Sequence, residues 1–468
     1  MKKATRLALI ASGLLGPSTL VAPIAAGAQP VGDGANHVVF VQTDNTAGNQ
    51  IAAYDRADNG TLTLSNTYGT GGLGGQLSGA AVDFLASQGS LTYDPADGLL
   101  YAVNAGSNTV SVFSVTGDQL SLVQVVDSGG FFPVSVAVSG NLVYVLNAEG
   151  GGSVSGYRAV GGKLHPIQGS IRALGLAENA DFTHTPGQVA FSPDGSQLIV
   201  TTKMATNALD VFGVTPSGRL SASPVVNAEP GTAPFSVTFD TAGHLVVANA
   251  NNSVSTFSLN PDGTVTLLDS VATGQPATCW IAPAQGFFYA SNAGGPSVSG
   301  YQVAPNGSLT SLGTPTATDP GTVDASASVD GQYIYVQTGG NGIVDEFQVN
   351  GNGSLTSIGS VTVTGAAGGE GIDAFSRTVV GWAIDRRAQT ALVDDAVMMA
   401  SESGATGPGS VIHSDHRSQF RLGVLSADPH QGSHRHNGDH RRHGGTSPKG
   451  CRREPRRSQT LDAAARRD

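Results

Sequence analysis

Few residues in this sequence stand where they could do chemistry. His184 precedes the run Gln188-Val-Ala-Phe-Ser-Pro-Asp-Gly195, a position from which an imidazole could serve as general base near neutral pH. It reads first as an ordinary loop histidine. Asp415 lies in His413-Ser-Asp-His416, followed by Arg417, and a carboxylate there could ligate a divalent metal. Asn104, Asn147, Asn249 and Asn292 recur at corresponding places, each after an apolar run. They read as turn residues bonding their own backbone, or as binding groups at one mouth of a ring. Cys279 is the only cysteine before the last eighteen residues and reads as a small core residue, not a nucleophile.

Other motifs carry less. Gly69 to Ser78 is glycine-rich but lacks the lysine and strand-to-helix context of a phosphate loop, so it is expected to be a flexible inter-blade loop. Asp and Glu show no calcium-loop spacing, so neither metal nor cofactor is expected. Only six Lys+Arg, against 25 Asp+Glu, occur in residues 29–374, so an arginine cluster gripping an anionic substrate is hard to assemble.

The elements that must position these residues come from internal repetition. One copy reads Phe235-Ser-Val-Thr-Phe-Asp240, His244-Leu-Val-Val-Ala-Asn-Ala250, Ser253-Val-Ser-Thr-Phe-Ser-Leu259 and Val265-Thr-Leu-Leu268, and Ser153-Val-Ser-Gly-Tyr157 matches Ser297-Val-Ser-Gly-Tyr301. The aromatic closing the third run occurs as Tyr54, Phe113, Tyr157, Phe212, Phe257, Tyr301 and Phe347. Seven units of four short strands predict an all-β, seven-bladed β-propeller, the aromatic packing between blades. Blade one starts at His37 without a first strand; Gly371 to Ala374, after blade seven, is placed to supply it and close the ring.

The Ser192-Pro-Asp-Gly195 turn, the Tyr/Val-rich second strands and Gly369-Glu-Gly-Ile372 resemble the β-propeller lactonase family, which includes 6-phosphogluconolactonase-like proteins, carboxymuconate cyclases and the related YVTN propellers. The resemblance covers residues 37–374 and implies lactone hydrolysis by a His-x-His element, an Arg-His pair and a Glu. This sequence departs at each place: Thr185-Pro-Gly187, with His184 displaced by one position, then Phe235-Ser236, and Ala250.

The two ends differ from the body. Lys2, Lys3 and Arg6, the apolar stretch Leu7 to Ala22 and Ala26-Gly27-Ala28 predict a signal peptide over residues 1–28, hence a secreted or periplasmic product, and no later run is long enough to span a membrane. Residues 375–468 invert the charge, with 15 Lys+Arg against 10 Asp+Glu. Ile372 to Asp385, Thr390 to Ala400 and Val411 to Phe420 resemble the integrase-type catalytic core of insertion-sequence transposases. That resemblance implies a short α/β RNase H-like fragment over 375–420, with Asp415 as one acid of a set whose other members are missing. It is therefore expected to be inactive, and the basic residues 421–468 read as a disordered, out-of-frame tail with no functional nucleic-acid binding. The resulting expectation is a monomeric, exported binding or interaction module, or a cryptic hydrolase, for an extracellular small molecule, glycan or protein. The alternatives are a true lactone hydrolase and a DNA-integration enzyme acting through the tail.

Overall fold

The computed structural model describes residues 36–377; the signal-like segment, Asp415 and the basic tail lie outside the described residues. Thirty short strands form seven antiparallel sheets, one per repeat. Blades 3 and 6 have a fifth strand because their outermost strand is split, Lys163–Pro166 with Arg172–Ala173, and Leu309–Ser311 with Thr316–Ala317.

Burial follows the pleat and the layering. Second strands such as Leu99–Asn104 and Leu245–Asn249 are buried throughout, because both faces meet a neighbouring blade. Outermost strands such as Leu62–Gly69 are mostly exposed. The seven repeat aromatics are all 0–2% exposed, and all seven join clusters shared with the preceding blade: Tyr54 with Tyr333 and Tyr335, Phe113 with Phe40, Tyr157 with Tyr101, Phe212 with Tyr144, Phe257 with Ile199, Tyr301 with Val246, Phe347 with Tyr289. Each such burial is worth roughly 2 kcal/mol, repeated around the ring.

The ring closes as its repeats require. Strand Ile372–Arg377 pairs antiparallel with Asn36–Gln42, in register Val38 to Phe375 and Val41 to Ile372. The strand runs three residues beyond Ala374, and Phe375 belongs to the ring: it stacks on Phe40 at 5.3 Å and Tyr93 at 4.1 Å between ring centroids.

Candidate functional site

The repeat register identifies one position in each blade, five residues after the partner of the closing aromatic on the second strand. It holds Asp44, Ala105, Ala148, Lys203, Ala250, Ala293 and Gly339 in blades 1 to 7. Five of the seven are Ala or Gly. Blades 1 and 4 instead carry an acid and a base, and both residues adopt left-handed backbone, φ 51° at Asp44 and 45° at Lys203. Such strain in non-glycine residues persists only where the surroundings enforce it.

The surroundings are a buried polar cluster at one mouth of the channel. Lys203 Nζ donates to Ala86 O (2.7 Å), Phe182 O (2.6 Å) and Thr185 Oγ1 (2.8 Å), and the ammonium lies 5.3 Å from the centre of the Phe235 ring. Asp83 accepts from the backbone N–H of Leu85, Ala86 and Ser87 at 2.8–3.1 Å, folding the segment before blade 2 into a tight plug. Glu370 lies 3.0 Å from the Ser87 hydroxyl, its own N–H donates to Asp44 Oδ2 (2.8 Å), and Trp280 Nε1 donates to Ser87 O.

Burial dominates the electrostatics. Desolvation raises the carboxyls of Asp44 to about 8 and of Asp83 and Asp324 to about 7, and lifts Glu370 well above the ordinary range. The same desolvation lowers Lys203 to about 8, opposed by the charge of Asp83. All three ammonium protons are used on neutral oxygens, so Lys203 has none left for a substrate anion.

The residues at the positions matched to the lactonases' catalytic groups converge on this patch. Thr185 bonds Lys203, Phe235 lies beside it, and Ala250 packs against the cluster of Phe235, Cys279 and Trp280. Cys279 is buried, and burial pushes its thiol up, away from nucleophilic use. The mouth is roofed by the two long connections between blades: Phe182 N–H donates to Ser78 O and Phe84 N–H to Gly368 O. The glycine-rich loop, expected to be flexible, is tied down. Gly74 N–H donates to Asn45 O, and a Cβ at Gly74 would lie 2.0 Å from the Asp44 carbonyl oxygen.

His184 is placed outside this patch. Its side chain is 44% exposed, and Nδ1 lies 3.0 Å from Asp181 Oδ1. The four recurrent asparagines are 0–1% exposed and lie within the second strands, three as the last residue and Asn147 two before the end, instead of forming turns. Their amides donate to serine or threonine hydroxyls on the third strand: Asn104 to Thr109 and Ser111, Asn147 to Ser153 and Ser155, Asn249 to Ser253 and Ser255, Asn292 to Ser297 and Ser299. They lock strands within a blade.

Sequence reasoning passed over Lys203, Asp44 and Glu370. A usable signal existed for the first two: a lysine and an aspartate at a repeat position otherwise filled by Ala or Gly.

Beyond the plug the channel is open. Gln88 crosses it as a bar from blade 2 to blade 6: its amide accepts from Ile281 N–H (3.1 Å) and donates to Ile281 O (3.0 Å). Cavities of about 460 Å³ and 300 Å³ flank this bar, walled by the innermost strands.

Neither a family model nor a curated protein matches this sequence. Solved structures do. A candidate 6-phosphogluconolactonase from Bacteroides uniformis superposes with TM-score 0.59 at 19% identity, over 72% of this chain and 99% of that one. A second, from Bacteroides fragilis, gives 0.57 at 19% identity, over 71% and 97%. The periplasmic gluconolactonase of Pseudomonas aeruginosa gives 0.59 at 16% identity, over 72% and 98%. The chain shares its fold with these lactonase-type propellers. Among the described residues no helix is long and apolar enough to cross a membrane.

Proposed function

We propose that this chain is an extracytoplasmic binding propeller of lactonase type and that it does not hydrolyse sugar-phosphate lactones. One observation carries the reading: Lys203, the cation at the plugged mouth, is fully buried and has its three donors taken by Ala86, Phe182 and Thr185. Arg56 is engaged with Asp330 at 3.4 Å, and Arg158 and Arg172 bond carbonyl oxygens of blade 4. An anionic lactone would therefore find no charged clamp at the plugged mouth. Its ligand is taken to be a small molecule, a glycan or a protein, bound by a monomer. The purified chain, offered 6-phosphogluconolactone and neutral lactones, is expected to turn over neither. Phosphate-dependent turnover abolished by Lys203→Met would sink the reading.

A second reading rests on His184. The Asp181 carboxylate beside Nδ1 is held low, at about 2, by hydrogen bonds from Thr183 and His184, and a carboxylate on one ring nitrogen is the pairing that orients a general base. Hydrolysis of a neutral lactone lost in His184→Ala would favour that general base. For the integrase-like segment around Asp415, a single acid cannot hold two metals, so no magnesium-dependent strand transfer is expected.

A further inference from the structure

We propose that the open half of the channel, beyond the Gln88 bar, is a binding site for the end of an uncharged carbohydrate, with Gln188 as its recognition residue. The inference deepens the binding-module reading and rests on it. It concerns the channel beyond the bar, whereas the positions matched to the lactonases' catalytic groups lie on the plugged side.

Gln188 carries the argument. It lines both cavities, and the backbone N–H of Val237 donates to its Oε1 at 2.6 Å, which fixes which end of the amide is oxygen. Nε2 is left with two N–H donors and no protein acceptor among the described residues. Thr238 and Ser326 line the smaller cavity beside it; among the described residues the Thr238 hydroxyl has no protein partner, and Ser326 Oγ accepts from Ala374 N–H (3.1 Å) and donates to no protein group. These neutral donors sit on or directly before innermost strands, so little ordering is needed on binding.

The walls select the ligand class. Val136, Val138, Phe191 and Ile372 give apolar surface of the kind that packs against the C–H face of a sugar ring. The one ionisable group in the cavity wall is Asp324, whose carboxyl oxygens accept from Ala325 N–H (2.9 Å) and Ile372 N–H (3.4 Å). No Lys or Arg joins it there. An anion would find no compensating cation in the wall, whereas hydroxyls and ring oxygens meet matched donors. The volume, about 460 Å³, falls within the range common for small-molecule sites.

The test is calorimetric titration of the full chain with maltotriose, cellotriose and triacetylchitotriose, and with gluconate as the anionic control. At least one neutral trisaccharide is expected to bind. Gln188→Leu should weaken it about tenfold, the scale of one lost hydrogen-bonding group, and Thr238→Val less. Thr238→Val also keeps the site testable if Gln188→Leu fails to fold. No binding of any neutral trisaccharide, or tighter binding of gluconate, overturns the proposal. Binding insensitive to both channel variants overturns the site but leaves the binding-module reading standing. Lactone turnover without glycan binding overturns both.

Discussion

The two halves of the channel are built from the same seven strands and have opposite chemistry. At the plugged mouth, Asp44, Asp83, Lys203 and Glu370 are buried and bonded to backbone or to each other. Beyond Gln88, the neutral groups of Gln188, Thr238 and Ser326 keep unused hydrogen-bonding capacity facing space. Charge has gone into holding the ring, and the unused hydrogen-bonding capacity lies on neutral groups. Where every donor of a cation is consumed, the cation organises the fold.

The largest effect expected from disturbing this contrast is at Lys203. Lys203→Ala removes the only partner shown for the Ala86 carbonyl and leaves buried oxygens unsatisfied, so a loss of about 3 kcal/mol or more is expected in chemical denaturation. Unchanged stability would mean that the lysine is free to serve a ligand. Gly339→Ala comes next. Its Cβ would lie 1.7 Å from the Val82 carbonyl oxygen, and displacing the plug should cost about 2 kcal/mol. If the variant melts with the parent, the plug is loose.

The plug should also respond to pH. The folded carboxyls of Asp44, Asp83 and Asp324 lie near 8, 7 and 7, and that of Asp373 near 6, all above their unfolded values. The folded state therefore holds more protons. Their contribution is fully present below about pH 4 and is lost as pH rises through 6 to 8. Lys203, depressed to about 8, acts oppositely but only between there and its ordinary value. Tm should be higher at pH 5 than at pH 8; the reverse order would show that these acids are solvated.

Smaller effects are expected within a blade. Asn249→Ala removes the bonds to Ser253 and Ser255 and should cost about 1–2 kcal/mol. A drop in ligand affinity with unchanged Tm would instead restore the asparagines as binding groups. His184→Ala should leave stability unchanged, since its ring is exposed and bonds only its own loop.

Much of the ring was legible because local patterning and ring geometry say the same thing. A repeated aromatic must be buried, and a first blade lacking one strand must take it from the end of the last. The asparagines show the limit. Their recurrence was plain, but the partner two or three positions into the next strand is reached only once the hairpin register is set. Lys203 was counted among six cations without its place being seen.

The sequence by itself determined the seven-fold repetition, the buried aromatic of each blade and the closure by a strand beginning near Gly371, since these follow from periodicity and the need to pair strand edges; that the strand runs on to Arg377 came from the structure. Only the tertiary structure decided which residues meet in the channel. Asp44 and Glu370 are 326 residues apart, and Lys203 reaches Ala86 across 117. Closing a ring brings such residues to one axis, and no local pattern encodes which of them will share it.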